Sequence, residues 1–199
     1  MFWFNGKVML GSDTAVFILA NVMLFISSFL FYTFVLPSVS SPLGMIIGIS
    51  TLFLLLFSAL NLWLTATTEP GILPRNPKHI KVDAPIVSNN GGVGFRYCQT
   101  CNIYRPPRAK HCSTCDNCCD RFDHHCAWTS TCIGERNYRF FLRFIIAITI
   151  YCLTAFSTCI YTMVESVNKS KGDTGDDCGS SLECFEYALE NNISASILV

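Results

Sequence analysis

The chain has 199 residues, 51% of them hydrophobic and only 14% charged, with equal numbers of acidic and basic side chains and a mean hydropathy of +0.39. That composition is too apolar for an ordinary soluble domain, and zero net charge gives nucleic-acid binding no support. A membrane protein is the class that remains.

Residues 1–13 precede the first uncharged run, "TAVFILANVMLFISSFLFYTFVL", Thr14 to Leu36. At 1.5 Å per residue this stretch is long enough to cross a hydrocarbon core of about 30 Å, so a transmembrane helix is predicted over 14–36. Its length and the lack of a small-residue cleavage pattern make it a retained signal anchor. "PSVSSP" forms a short turn, and a second uncharged run, 43–66, predicts a second helix antiparallel to the first. A third run, 140–164, carries Arg143 near its start, where a long side chain reaches back to the interface. The chain therefore reads as an all-α polytopic membrane protein with three complete transmembrane helices.

Between the second and third runs lie ten of the fourteen Lys and Arg residues, against none in "PSVSSP". The positive-inside rule turns residues 67–139, and with them 1–13, to the cytosol. The first part, 67–94, is rich in Pro, Gly and Asn and reads as a connector without long regular structure. Residues 165–192 are acidic and contain the sequon Asn168-Lys169-Ser170, which suits a lumenal loop. Cys178 and Cys184 in that loop favour a disulfide in an oxidising compartment. The final "ISASILV", 193–199, opens a fresh apolar run, so the chain reads as cut at the start of a fourth helix.

The remaining segment, 95–139, holds eight of the twelve cysteines and three of the four histidines. Mixed Cys/His spacing of this kind reads as zinc rather than a disulfide framework. Cys-x2-Cys, which supplies two ligands from one tight turn, occurs at Cys98/Cys101 and Cys112/Cys115, with Cys115/Cys118 overlapping the second. Two closed four-ligand sites would use eight of the eleven groups and leave three. Spacing does not say which three. So short a segment, with few large apolar residues, needs metal to hold its shape, predicting a domain of loops and short hairpins around two structural zinc ions. A thiol ligated to zinc is quenched, so any reactive cysteine must be among the spare groups.

The framework runs Cys98-x2-Cys101-x9-His111-Cys112-x2-Cys115-x2-Cys118-x4-Asp123-His124-His125-Cys126-x5-Cys132-x4-Asn137-x3-Phe141. In this it resembles the DHHC cysteine-rich domain of the protein S-acyltransferases, or palmitoyltransferases. Glu69-Pro70-Gly71 is similar to that family's Asp-Pro-Gly motif. The resemblance implies one zinc on Cys98, Cys101, His111 and Cys118 and another on Cys112, Cys115, His125 and Cys132. Cys119, His124 and Cys126 are then spare, and Cys119, where the family pattern requires no cysteine, reads as an incidental small residue.

The resemblance further implies Cys126 as nucleophile, His124 as its base and Asp123 as the carboxylate that fixes the His124 tautomer. Neighbours in sequence rarely face one another, so a backbone bend forced by ligation at His125 and Cys132 is expected to bring the three together. The implied activity is transfer of a long-chain acyl group, palmitoyl, from acyl-CoA to protein cysteines through an acyl-cysteine intermediate. Implied partners are acyl-CoA, the lipid bilayer and protein substrates with juxtamembrane cysteines facing the cytosol; no nucleic acid is expected. The family's commonest addresses are the Golgi and the endoplasmic reticulum, with the plasma membrane a third. Arg136, Arg139 and Arg143 are expected as interfacial anchors rather than ligands for CoA phosphates.

Two departures bear on activity. Where the family has Pro-Trp followed by Val-Gly-Asn or close to it, Ala127-Trp128-Thr129-Ser130-Thr131 stands here, and Glu69 replaces the Asp of Asp-Pro-Gly. The family's Thr-Thr-x-Glu motif, which follows the fourth helix, is not found in this chain. The competing expectation is a catalytically inactive, zinc-scaffolded membrane adaptor or chaperone. Retention of Asp123, His124 and Cys126 together favours the enzyme.

Overall fold

The computed structural model describes residues 2–3, 8–9, 11–82 and 95–174, the first two pairs and residues 170–174 as backbone only. The Cys178/Cys184 pair, the rest of the predicted lumenal loop beyond Thr174, and the run at 193–199 lie outside the described residues.

Three helices dominate. Helix α1, Thr14–Leu30, winds on through a π turn, Phe31–Val35, and a 3-10 turn, Leu36–Ser38; α2 spans Leu43–Thr67 and α3 spans Tyr138–Thr174. All three are long and apolar enough to cross a bilayer. Large apolar side chains face outward on each, among them Phe29, Ile49, Phe53 and Phe156, all more than 60% exposed. Such a surface is stable only against lipid or protein. Hydroxyl groups inside the helices donate to carbonyls one turn back, as Ser28 does to Leu24, Thr51 to Ile47 and Thr158 to Thr154, so no free donor faces hydrocarbon at these positions. Residues 165–174, placed in a loop by their acidity and sequon, continue α3, because no helix-breaking residue intervenes before Gly172.

The expectation of an all-α chain needs correction, since among the described residues nine short strands accompany the helices, six of them in the short hairpins expected of the cysteine-rich segment. A backbone pair, β1 (Phe2–Trp3) and β2 (Val8–Met9), precedes α1. In the connector β3 (Ile72–Leu73) pairs with β7 (Asn117–Cys119), which also pairs with β6 (Lys110–Cys112). Two further hairpins are β4 (Arg96–Cys98) with β5 (Ile103–Arg105), and β8 (His124–Cys126) with β9 (Thr131–Ile133). All pairings are antiparallel. The first two knuckle turns end on Asn102 and Asp116, each directly after the second cysteine of a Cys-x2-Cys and each at positive φ, 53° and 48°. Asn and Asp are the non-glycine residues best suited to that conformation.

The described chain forms two compact units, Met1–Asn21 with Ser58–Ile145, and Val22–Phe57 with Ile146–Val199. In the second, Tyr151 donates a hydrogen bond to Ser28 and Tyr32 donates one to Thr51, both at 2.9 Å. Polar links of this kind between apolar helices add about 1 kcal/mol each. In the first, Phe17, Leu62 and Ala66 form a buried cluster with Phe144 packed on it, and the Trp63 indole donates to Asn21 at 3.0 Å.

The first unit also holds the cysteine-rich segment. Of its buried apolar residues seven are cysteines, and the others are Ile103, Ala109 and Ile133. Sulfur is therefore most of the core. Asn102 is buried and pins the connector to it, donating to the carbonyls of Pro77 at 2.7 Å and Ile80 at 3.0 Å.

Candidate active site and metal centres

The eight residues assigned as zinc ligands lie together as two quartets, Cys98/Cys101/His111/Cys118 and Cys112/Cys115/His125/Cys132. Within each, one ligand atom per residue lies within 4.8 Å of all the others. Metal bonds of about 2.0–2.3 Å to a tetrahedral centre put neighbouring ligand atoms about 3.6 Å apart. His111 Nδ1 is 3.7, 3.5 and 3.7 Å from the sulfurs of Cys98, Cys101 and Cys118. His125 Nδ1 is 3.7, 3.3 and 3.8 Å from those of Cys112, Cys115 and Cys132. Each quartet fits a tetrahedral ion.

The thiols also resist ionising together without a cation. A hydrogen bond from Cys132 brings Cys115 down to about 6, while the same bond pushes Cys132 far above the ordinary thiol range. Burial does likewise to Cys118, reinforced by Cys98. A bound divalent ion reverses this balance, because it stabilises every thiolate at once.

Hairpin register explains the interleaving. His111 lies opposite Cys118 and His125 opposite Cys132, so each cross-strand pair delivers a histidine and a cysteine to one side of its hairpin, and a Cys-x2-Cys turn closes the quartet.

The far nitrogen of each ligand histidine meets a carboxylate, which sequence reasoning had not assigned. His125 Nε2 is 2.8 Å from Asp13 Oδ2, and this bond holds the Asp13 carboxyl below its usual range. His111 Nε2 is 3.7 Å from Asp116 Oδ1, whose other oxygen pairs with Arg75 at 2.8 Å. With Nε2 facing a carboxylate, the Nδ1 lone pair is left for metal.

Strand β8 carries His125 of the second quartet between two residues that belong to neither. Its first residue, His124, has Nδ1 2.9 Å from Asp123 Oδ2 and its ring 5.2 Å edge-on from that of Phe141. Its last residue, Cys126, is buried. No bend brings His124 and Cys126 together: side chains alternate along a strand, so residues 124 and 126 share one face and His125 takes the other. One extended tripeptide thus separates a spare imidazole and thiol from a ligand.

The third spare group, Cys119, is fully buried, with Sγ 3.5 Å from the Pro70 carbonyl oxygen. Burial, with Glu69 and Asp120 nearby, pushes its thiol up to about 12. A Cβ on Gly134 would overlap this sulfur, so glycine there permits the close packing. Glu69, the residue in place of the family's Asp, accepts hydrogen bonds from the amides of Gly71 and Ile72 and pairs with Arg136. Arg136 is thereby committed to the fold, and Arg139 lies over the Phe140 ring at 4.7 Å.

In the variable turn after Cys126, Thr129, Ser130 and Thr131 are buried; Thr129 donates to the Cys126 carbonyl at 3.2 Å, and the Ser130 and Thr131 hydroxyls have no partner among the described residues. Asn137 ties the site to the helices. Fully buried ahead of α3, it donates to the carbonyls of Thr65 and Cys132 at 3.2 and 2.9 Å and accepts from the Gly134 amide at 2.9 Å. Asn137→Ala should lower stability by about 2–4 kcal/mol, because three buried backbone groups lose their partner. Thermal unfolding in detergent checks this, and an unchanged midpoint would contradict it.

Among the described residues, fold and site together define a protein with three bilayer-length apolar helices and a domain built on two Cys3His clusters, with a histidine and a cysteine outside them on the strand that bears one ligand. Residues 93–194 match the DHHC palmitoyltransferase family, and the chain belongs to that family. It is 39% identical over 181 residues to palmitoyltransferase ZDHHC14 of Danio rerio, a match covering 80% of this chain and 35% of that protein. It is 36% identical over 193 residues to palmitoyltransferase ZDHHC18-A of Danio rerio, covering 87% and 41%, and 35% identical over 181 residues to palmitoyltransferase ZDHHC14 of Homo sapiens, covering 80% and 37%. The chain thus spans roughly two fifths of the length of these relatives.

Proposed function

We propose that the chain carries the catalytic segment of a protein S-acyltransferase, which moves a long-chain acyl group from acyl-CoA to cysteine thiols of membrane-associated proteins. The observation that carries this reading is the strand β8, where His124, oriented by Asp123 at 2.9 Å, shares a face with Cys126 while neither belongs to a metal quartet. Zinc fits both quartets, because three thiolates and an imidazole in tetrahedral array are its preferred structural ligands. Its contribution would be to hold the hairpins in place.

Asp123 accepts the His124 Nδ1 proton's hydrogen bond, which leaves Nε2 free as a base. His124 takes the Cys126 proton, and the thiolate attacks the acyl-CoA carbonyl carbon. A C–S bond to Cys126 forms, the C–S bond to CoA breaks, and the departing CoA thiolate regains the proton from His124. In the second half a substrate thiol gives its proton to His124, attacks the acyl-cysteine carbonyl and releases Cys126, which is reprotonated. One thioester replaces another in each half, so no external energy source is needed.

A fatty chain gains about 0.8 kcal/mol per methylene buried, which favours a nucleophile at the bilayer surface with its acyl chain in the hydrocarbon. Cys126 stands fourteen residues ahead of Phe140, near the start of α3, and suits that position. The Lys and Arg content of 67–139 supports a cytosolic face, and an endomembrane such as the Golgi or endoplasmic reticulum is the proposed site of action.

The test is to incubate detergent-purified protein with a clickable long-chain acyl-CoA. A covalent label removed by hydroxylamine is expected. Absence of label on metal-loaded wild type would favour the inactive scaffold.

A further inference from the structure

Asp13 stands immediately before α1, where an aspartate ordinarily caps the free amides of the first helical turn. Its carboxylate is instead engaged by His125 Nε2 at 2.8 Å and by the Ser12 hydroxyl at 3.1 Å. Two residues earlier, Gly11 lies so close to the turn after Cys126 that a Cβ would land on the Ser130 carbonyl oxygen. The lead-in to α1 therefore touches the β8–β9 hairpin twice, at the ligand histidine and at the connecting turn. The other quartet offers an internal comparison: its carboxylate, Asp116, comes from its own hairpin turn, lies 3.7 Å from His111 and is shared with Arg75.

We infer that Asp13 is a positioning residue of the second metal centre, aiming His125 Nδ1 at the ion from a point 112 residues away in the chain, with Gly11 seating it against the hairpin. A carboxylate on the far nitrogen fixes ring orientation and tautomer and raises the basicity of the ligating nitrogen. Because the anchor is the entrance to α1, metal occupancy at this centre also ties the first helix to the strand that bears Cys126. The inference rests on reading Cys112, Cys115, His125 and Cys132 as metal ligands.

The experiment uses the full chain in detergent, loaded with zinc and challenged with a chromogenic chelator, in wild type, Asp13→Asn and Asp13→Glu. Wild type should release about two ions per chain. In Asp13→Asn one of the two should leave about 10- to 100-fold faster while the other keeps its rate. The cadmium-113 spectrum of the cadmium-loaded protein should show one of two resonances displaced in Asp13→Asn, with Asp13→Glu restored toward wild type because it keeps the carboxylate. Gly11→Ala, which pushes the lead-in off the turn, should displace the same resonance. Release rates and resonances unchanged in Asp13→Asn, or both ions loosened equally with no recovery in Asp13→Glu, would overturn the inference. Fewer than two ions in wild type would instead overturn the ligand assignment beneath it.

Discussion

Stripping the metal with a strong chelator, or replacing Cys101 with serine, is expected to unfold the cysteine-rich segment while most of the helical signal survives. The reason lies in what fills the core. Seven of its ten buried apolar residues are cysteines, five of them in the metal quartets, and the hydrocarbon comes from Ile103, Ala109 and Ile133 with the partly buried Leu73 and Phe122 packed against the sulfur clusters. At about 25 cal/mol per Å2 of buried apolar surface, these few side chains contribute on the order of 10 kcal/mol at most, which the conformational entropy of some forty residues far exceeds. A structural zinc site contributes on the order of 10 kcal/mol. The helices depend on apolar contact with lipid or detergent and on internal hydrogen bonds, neither of which needs an ion. Far-ultraviolet circular dichroism should therefore fall little, while proteolysis at Arg105, Arg108 and Arg121 should rise sharply. The same loss should follow acidification, since ligation requires deprotonated thiols and a neutral imidazole, so stability is present at neutral pH and lost as pH falls. Chelated protein that kept its protease resistance would refute this account of the core.

The helices were legible in the sequence because a run of more than twenty uncharged residues has few other stable outcomes. Short hairpins in the cysteine-rich segment were legible too, from the closely spaced ligands, but the bounds and register of their strands were not. Three-residue segments such as Lys110–Cys112 and His124–Cys126 are too short for alternation to register, and their extended form follows from ligand placement across a hairpin rather than from β propensity. The same gap affected the site. Asp123, His124 and Cys126 can be picked out from the motif, but their adjacency suggests a bent backbone; a strand's two-residue period does the sorting without one. Asp13 was invisible for another reason: an aspartate before a helix has an ordinary explanation as a cap, and its partner His125 lies 112 residues further on. Asn137 could be named as part of a pattern, but its three hydrogen bonds depend on where α2 ends, which no local reading supplies.

Cys126→Ser is expected to abolish the hydroxylamine-sensitive acyl label, and Cys119→Ser to leave most of it, although both sulfurs lie outside the two quartets. Their surroundings separate them: Cys119 has no exposed surface and packs against Pro70 and beneath Gly134, so neither a base nor a thioester can approach it. Cys126 shares its strand face with an imidazole already oriented by a carboxylate. Removing that base in His124→Ala should slow acyl-enzyme formation by about 10²–10⁴-fold. Asp123→Asn should slow it less, because the imidazole remains and only its orientation and charge stabilisation are lost. The double variant Asp123→Asn/His124→Ala should be no slower than His124→Ala, since Asp123 acts only through His124. The pH profile gives an independent reading. If His124 serves to deprotonate the thiol, its deficit must shrink as pH rises, because hydroxide then generates the thiolate unaided. A deficit constant across alkaline pH would mean that His124 merely supports the hairpin, and a label surviving in Cys126→Ser would place the nucleophile elsewhere.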